Sequence, residues 1–214
     1  MSSPALRRIL ICALLTSSLI QAEGVFSQTT LFTSRRIPNV LEANEGAILA
    51  FAQSGRYMRR SKNGGKSWEP LREVATDANG SVVFDPVSGD ILVVNSIAGK
   101  LHRSEDGGDT WKGEPIKIHP NGWGHGTIGS VPIATRSSES GICLNQPPHK
   151  GRLVLPGRVM PPKGNEDQRW WVYYYNTSLF SDDRGHSWKV GEPVQSGTGE
   201  GALVELADGS IYFN

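Results

Sequence analysis

Cysteine is nearly absent: the 214-residue chain has two, Cys12 and Cys143. Cys12 falls in an apolar N-terminal stretch, so the remainder keeps one thiol and no partner for an internal disulfide. Cys143, inside Gly141-Ile142-Cys143-Leu144, reads as a small buried apolar residue rather than a nucleophile. Neither sign of charge is in excess. The formal net charge is +1, with no long run of like charge, which argues against a nucleic-acid binder. Sustained helical periodicity is missing. So are a Gly-rich phosphate loop followed by Lys-Ser/Thr and a Gly-x-Ser-x-Gly elbow. His102, His119, His125, His149 and His186 stand at no metal-ligand spacing, so neither a metal nor a cofactor is expected.

Long apolar runs are also scarce. Ile9 to Ile20 is the clearest, preceded by Arg7 and Arg8 and followed by Gln21-Ala22 before Glu23. This is the order of a secretory signal: charged, apolar, then small residues at a cleavage site. The run is short for a membrane span. Residues 1–22 are therefore expected to be a signal peptide, and residues 23–214 a secreted or periplasmic domain with no membrane span after cleavage.

Glycine is plentiful, at 25 residues, with 13 prolines. That composition favours many short strands joined by turns. One turn sequence occurs three times, as Ser61-Lys62-Asn63-Gly64-Gly65-Lys66-Ser67-Trp68, Ser104-Glu105-Asp106-Gly107-Gly108-Asp109-Thr110-Trp111 and Ser181-Asp182-Asp183-Arg184-Gly185-His186-Ser187-Trp188. The shared pattern is Ser-x-Asp/Asn-x-Gly-x-Ser/Thr-Trp. An Asp or Asn side chain can accept backbone N–H groups two residues on and hold a tight turn. The Gly supplies a positive φ. The Trp is the large apolar group expected to lock each hairpin to its neighbours. Three copies indicate a repeat architecture.

The pattern resembles the Asp box of the sialidase (neuraminidase) family. What the resemblance implies is an all-β, six-bladed β-propeller, of which about four blades' worth of sequence is present here. The first two copies start 43 residues apart, the length of one four-stranded blade. The second and third start 77 apart, which fits either a further blade without the motif or one blade with a long insertion. Ile48–Ala52, Tyr57–Arg60, Ser81–Phe84, Ile91–Asn95, Lys100–Arg103, Arg152–Leu155, Trp170–Phe180, Leu203–Leu206 and Ile211–Phe213 read as strands. Residues 119–140, rich in Gly and Ser, read as a loop.

The resemblance extends, in family order, through Arg36-Ile37-Pro38, Gly141 to Leu144, Gly151 to Pro156, Tyr175 to Trp188 and Glu200 to Asn214. It implies a retaining exo-α-sialidase-like hydrolase acting on sialylated or other acidic glycans. Planar guanidinium groups suit the carboxylate of such a sugar because they grip it at two points. The family uses three arginines, and Arg36 matches the first. Arg56 is a candidate further substrate-binding residue. The family's nucleophile is a tyrosine, activated by a glutamate. Glu200 matches that glutamate, with Glu205 as the alternative. The nucleophile and two further arginines are expected beyond Asn214, and Tyr173-Tyr174-Tyr175 reads as strand packing. A departure from the family is that Gln53 to Met58 holds no acidic residue where the general acid belongs, leaving His125 and Glu139 as possible substitutes. The rival reading is a non-catalytic propeller that binds glycans or proteins.

Overall fold

The computed structural model describes residues 28–121, 126–128, 131–137, 139–160, 175–196 and 199–214. The expected signal peptide, His125, Tyr173 and Tyr174 lie outside them. The chain divides into two units, Met1–Thr30 and Leu31–Asn214, and every described strand belongs to the second. Among the described residues no helix is long and apolar enough to cross a membrane.

Strands β1 (Asn39–Glu42), β2 (Ile48–Ala52), β3 (Tyr57–Ser61) and β4 (Arg72–Glu73) form an antiparallel meander. Strands β5 (Ser81–Asp85), β6 (Asp90–Asn95), β7 (Lys100–Ser104) and β8 (Lys112–Pro115) form a second. Next come β9 (Lys117–His119), β10 (Gly126–Ile128), β11 (Val131–Arg136), β12 (Ile142–Cys143), β13 (Leu153–Met160), β14 (Tyr175–Ser181), β15 (Ser187–Val190) and β16 (Gln195–Ser196). Here β12-β13-β14-β15 is a third meander; β9 adds parallel to β15, β11 pairs with β13 and β16 with β14. A hairpin of β17 (Leu203–Glu205) and β18 (Ile211–Phe213) follows. These are propeller blades. The 77-residue spacing is thus one blade with a long insertion. Residues 119–140 are corrected: β10 and β11 lie there, because pairing with β13 gives a Gly- and Ser-rich stretch a ladder that its own composition does not favour.

Alternation explains the stacking. Successive strand residues point to opposite faces. In the second sheet Val82, Ile91 and Val93 pack against Leu49, Phe51 and Met58 of the first. Their neighbours Val83, Leu92 and Val94 pack against Leu153, Leu155 and Leu179 of the third. The second sheet is therefore buried on both faces, which is why its strands read as continuous apolar runs.

Each repeated turn joins the third and fourth strands of its meander, and all three close alike. The Ser61, Ser104 and Ser181 hydroxyls accept the N–H of Gly65, Gly108 and Gly185 at 2.9, 2.7 and 2.8 Å. Asn63, Asp106 and Asp183 accept the N–H of Ser67, Thr110 and Ser187, each at 2.9 Å. The three glycines have φ of 84°, 95° and 85°. Space demands glycine too: a Cβ on Gly108 would meet Met58 of the first sheet at 2.9 Å, and one on Gly185 would meet Leu92 of the second at 2.8 Å.

The tryptophans differ. Trp188 is fully buried between the second and third sheets, and its indole N–H donates to the Gly185 carbonyl at 2.9 Å. Trp111 is half-buried, edge-on to Phe51 of the first sheet at 6.3 Å. Trp68 is half-buried, with no earlier sheet among the described residues to cover it. Trp111 and Trp188 each pack on the sheet before their own. Cys143, expected to be buried, is half-buried at the edge of the second core cluster.

A second device links the sheets. Arg60, at the end of β3, donates to the Gly107 carbonyl at 2.8 Å, and Arg103, at the end of β7, donates to the Arg184 carbonyl at 3.0 Å. Gly107 and Arg184 hold the same place in successive turns. Both arginines are almost fully buried and paired with carboxylates: Arg60 with Glu69 and Asp109, Arg103 with Asp90 and Glu114.

Trp188→Ala is expected to cost about 3–5 kcal/mol, the usual range for truncating a fully buried aromatic. Trp111→Ala should cost less and Trp68→Ala least. Chemical denaturation of the three variants reads the order, and equal costs would contradict the packing described. Asp106 supplies a second expectation. Burial pushes its carboxyl up, but the Thr110 hydroxyl and N–H, the Ser104 hydroxyl and the Asp109 N–H outweigh it and hold the pKa down, from 3.8 to about 2. A depressed carboxyl stabilises the fold above its ordinary value, and that contribution fades as pH falls toward 2. Asn63 shows that an amide closes the same turn. Asp106→Asn should therefore melt earlier than the parent at pH 6, with the gap closing between pH 4 and pH 2. A gap independent of pH would refute the assignment.

Candidate functional site

The first strands of the meanders and of the final hairpin, β1, β5, β12 and β17, are neighbours in space. Their starts lie together: the Ser140 hydroxyl donates to Asn39 Oδ1 at 3.0 Å, and the Gly141 N–H to the Val82 carbonyl at 2.8 Å. Their ends lie together as well, since Glu205 at the end of β17 accepts the N–H groups of Asn145 and Gln146, just past β12, at 2.7 and 3.0 Å. The four strands thus run the same way. The residues just ahead of them, among them Arg36, Asp77, Asn79 and Glu200, emerge at one end.

At that end lies a pocket of about 410 Å³ whose lining includes Arg36, Arg56, Asp77, Asn79, Asn95 and Arg136. Arg36 is exposed, and its carbonyl accepts the Gln53 N–H at 2.6 Å, tying the segment before β1 to the β2–β3 connection. Arg56 comes from that connection. It pairs with Glu73 at 2.8 Å and lies over the Tyr57 ring at 5.4 Å. Ile37, Gln53 and Ser54, which also line the pocket, have φ of 55°, 55° and 52°. Left-handed backbone costs a non-glycine residue of order 1–3 kcal/mol, most clearly a β-branched one, and collects at functional sites.

Asp77 is the one carboxylate lining this pocket among the described residues. The Lys100 ammonium donates to it at 2.6 Å, and His102 Nε2 lies 3.1 Å away. Lys100 holds the Asp77 carboxyl below its usual range, so Asp77 is an ionised partner and a poor proton donor. Burial pushes His102 down, toward the neutral form.

Glu200 does not line the pocket. It is exposed, and Arg158 Nη1 approaches it at 3.4 Å. The connection back to the pocket is short: Arg158 on β13 sits directly across the ladder from Arg136 on β11. The two N–H groups on Glu205 give that residue a structural task, so of the two acids near β17 Glu200 is the one left open. Glu139 lines a different groove, of about 670 Å³, whose lining includes Glu42 and Glu205 and, among the described residues, no basic side chain. It is not at the arginine pocket, against the expectation that it might replace the general acid. Tyr175 is buried, and burial pushes its phenol up to about 12, in keeping with a packing role.

Arg136, Asp77 and Arg158 were not legible as site residues. Arg136 sits in the stretch read as loop, and its meaning comes from register with Arg158. Asp77 lies between two blades, two residues before Asn79, with no motif around it.

No protein-family model matches the chain. It is 25% identical to a sialidase of Micromonospora viridifaciens over 221 residues, covering 86% of this chain and 33% of that protein. It is 25% identical to a Clostridium perfringens sialidase over 229 residues, covering 84% of this chain and 54% of that protein. Against an exo-α-sialidase of Aspergillus fumigatus the identity is 25% over 240 residues, covering 86% and 52%. The chain thus spans a third to about half the length of these relatives. Among solved structures, Trypanosoma rangeli sialidase in complex with 2,3-difluorosialic acid, described as a covalent intermediate, superposes with a TM-score of 0.57 at 17% identity, covering 85% of this chain and 33% of that one. Sequence relatives and fold agree: the chain is a relative of the sialidases that spans part of their length and part of their propeller.

Proposed function

We propose that the chain provides the carboxylate-gripping side of an exo-α-sialidase-like, retaining glycoside hydrolase that removes terminal sialic acid from glycoconjugates. The observation that carries this reading is the meeting of Arg36 and Arg56 in one pocket, with Glu200 emerging at the same end of the inner strands. In this reading Arg36 and Arg56 bind the sugar's carboxylate side, and Glu200 is the base that activates a tyrosine nucleophile. No tyrosine among the described residues lines the pocket. The nucleophile and further arginines are assigned to sequence beyond Asn214, so the 214 residues alone should turn over a fluorogenic sialoside slowly or not at all. Residues acting as one catalytic unit fail together. The three repeated turns are taken as Asp boxes, and residues 1–22 as an export signal ahead of a secreted or periplasmic domain.

The second reading, a non-catalytic glycan-binding propeller, is favoured by the pocket's only described carboxylate being locked to Lys100. The two separate on Glu200. In a protein continuing past Asn214, Glu200→Gln should abolish turnover and leave sialic acid binding intact if the chain belongs to an enzyme.

Binding is the direct test. Arg36→Ala should weaken sialic acid binding about 10–100-fold, the worth of one or two charge-assisted hydrogen bonds. Calorimetric titration measures it, and unchanged affinity would overturn the reading. N-terminal sequencing of exported protein should begin near Glu23; material beginning at Met1 would remove the signal-peptide assignment.

A further inference from the structure

We propose that Asn63 is a self-modification site: in the folded chain the Gly64 nitrogen attacks the Asn63 side chain, and the amide becomes a carboxylate. The inference is independent of the sugar-acid reading. It concerns the one repeated turn that carries an amide where the other two carry an acid. Three observations carry it.

The first is an available nucleophile. With no side chain on the second residue, an Asn-Gly pair leaves the backbone nitrogen open to approach. Three such pairs occur in the sequence, Asn63-Gly64, Asn79-Gly80 and Asn121-Gly122, the last falling partly outside the described residues. Asn63 and Gly64 are both exposed, and a Cβ on Gly64 would meet nothing within 4 Å. The Gly64 N–H donates to no acceptor among the described residues. Gly80 is the opposite case. It is buried, its N–H donates to the Ser54 carbonyl at 2.8 Å, and a Cβ there would collide with the Val94 carbonyl.

The second is an electrophile held ready. Asn63 Oδ1 accepts the Ser61 hydroxyl at 3.0 Å and the Ser67 N–H at 2.9 Å. Two donors on one carbonyl oxygen polarise it and stabilise the negative charge it takes up under attack. Asn63 Nδ2 donates to the Ser67 hydroxyl at 2.8 Å, so the nitrogen that must leave stands beside a group able to pass it a proton.

The third is contrast. Asp106-Gly107 holds the same two places in the second turn, and Gly107 has a φ of 69° against 66° for Gly64. The Asp106 carboxyl, held at about 2, is ionised, and an anionic carboxylate resists a nucleophile. In the third turn Asp183 is followed by Arg184. A neutral amide ahead of glycine therefore occurs in the first turn alone.

The step balances with water as the one co-reactant. The Gly64 nitrogen bonds to Asn63 Cγ and gives up its proton, the Cγ–Nδ2 bond breaks, and ammonia leaves with that proton. Water then opens the cyclic imide. Opening at Cγ gives aspartate; opening at the other carbonyl routes the backbone through the side chain as isoaspartate. The aspartate would accept the N–H and hydroxyl of Ser67 as Asp183 accepts those of Ser187, with exposed Lys62 and Lys66 on either side.

The experiment ages the 214-residue chain at mildly alkaline pH, folded and in denaturant, and follows the peptides carrying Asn63 and Asn79 by mass spectrometry. In the folded chain the Asn63 peptide should convert at least ~10-fold faster than the Asn79 peptide, because Gly80 must first be freed by local opening. In denaturant the two should convert alike. Asn63→Asp, which is the product, should show no such mass change and should melt later than the parent at neutral pH, since bonds to a carboxylate are stronger than bonds to an amide. An Asn63 peptide that converts in denaturant but stays an amide in the folded chain overturns the inference. So does conversion of Asn79 as fast as Asn63 in the folded chain. An Asn63→Asp variant that melts earlier than the parent overturns the place given to the acid in the turn.

Discussion

The structure depends on one close contact, made twice: a turn glycine pressed against the sheet before it. Gly108 lies against Met58, and Gly185 against Leu92 and Leu101. No other residue satisfies both demands there, a left-handed backbone and the absence of a Cβ. Once the turn is that close, its carbonyls come within reach of the earlier sheet, and Arg60 and Arg103 take them. The tryptophan that ends the motif then fills the space beside the contact. The arginine clamp and the aromatic packing therefore go with the contact, whereas turn closure is local: the Ser61–Trp68 turn closes with the same bonds and no earlier sheet among the described residues. The buried guanidiniums of Arg60 and Arg103 tie the contact to their carboxylate partners, because removing those partners would strand a buried charge in the interface.

That contact also fixes where chemistry can sit. A meander alternates direction, so the connection between its third and fourth strands lies at the end opposite the one between its second and third. The repeated turns occupy one end of the sheets. The β2–β3 connection carrying Arg56, the β6–β7 connection beginning near Asn95 and the segments entering β1 and β5 occupy the other. The turn end holds the glycines that admit no Cβ, the local bonds that close each turn and the Arg60 and Arg103 links between sheets. The pocket end holds the left-handed Ile37, Gln53 and Ser54, held in place by the packed sheets behind them.

This division explains what could be read from the sequence. The turns and the residues that close them were legible because every bond in them is local, but their span was not: the expected reach of Asp or Asn was two residues, and the bonds run four residues on, from Ser to Gly and from Asp or Asn to Ser or Thr. The positive φ of Gly65, Gly108 and Gly185 follows from the same spacing. Burial of the tryptophans was legible only in kind. Trp68, Trp111 and Trp188 share a motif and differ in exposure because each depends on the sheet ahead of it, which the motif does not encode. At the pocket, Arg36 and Arg56 stood out, the first beside Ile37-Pro38 and the second in a short loop. Arg136 did not, since a Gly- and Ser-rich stretch hides a strand whose partner, β13, begins 17 residues further on. Glu139 looked available in sequence, yet its place beside Glu42 and Glu205 makes its surroundings acidic.

The charges around Asp77 bear on what the pocket accepts. A lone carboxylate among arginines would neutralise them and compete with any anionic ligand. Here Lys100 binds it at 2.6 Å and His102 backs it at 3.1 Å, so its charge is spent on its own neighbours. Burial keeps His102 toward the neutral form, which leaves Lys100 as the standing countercharge. Arg36 and Arg136 consequently face the pocket uncompensated among the described residues, and a neutral sugar would leave them so. An acidic sugar would replace their hydration with charge-assisted bonds in a partly enclosed space, where such bonds are stronger than in bulk water. The lysine that quiets Asp77 is thus as much a determinant of anion preference as the arginines themselves, although it touches no ligand.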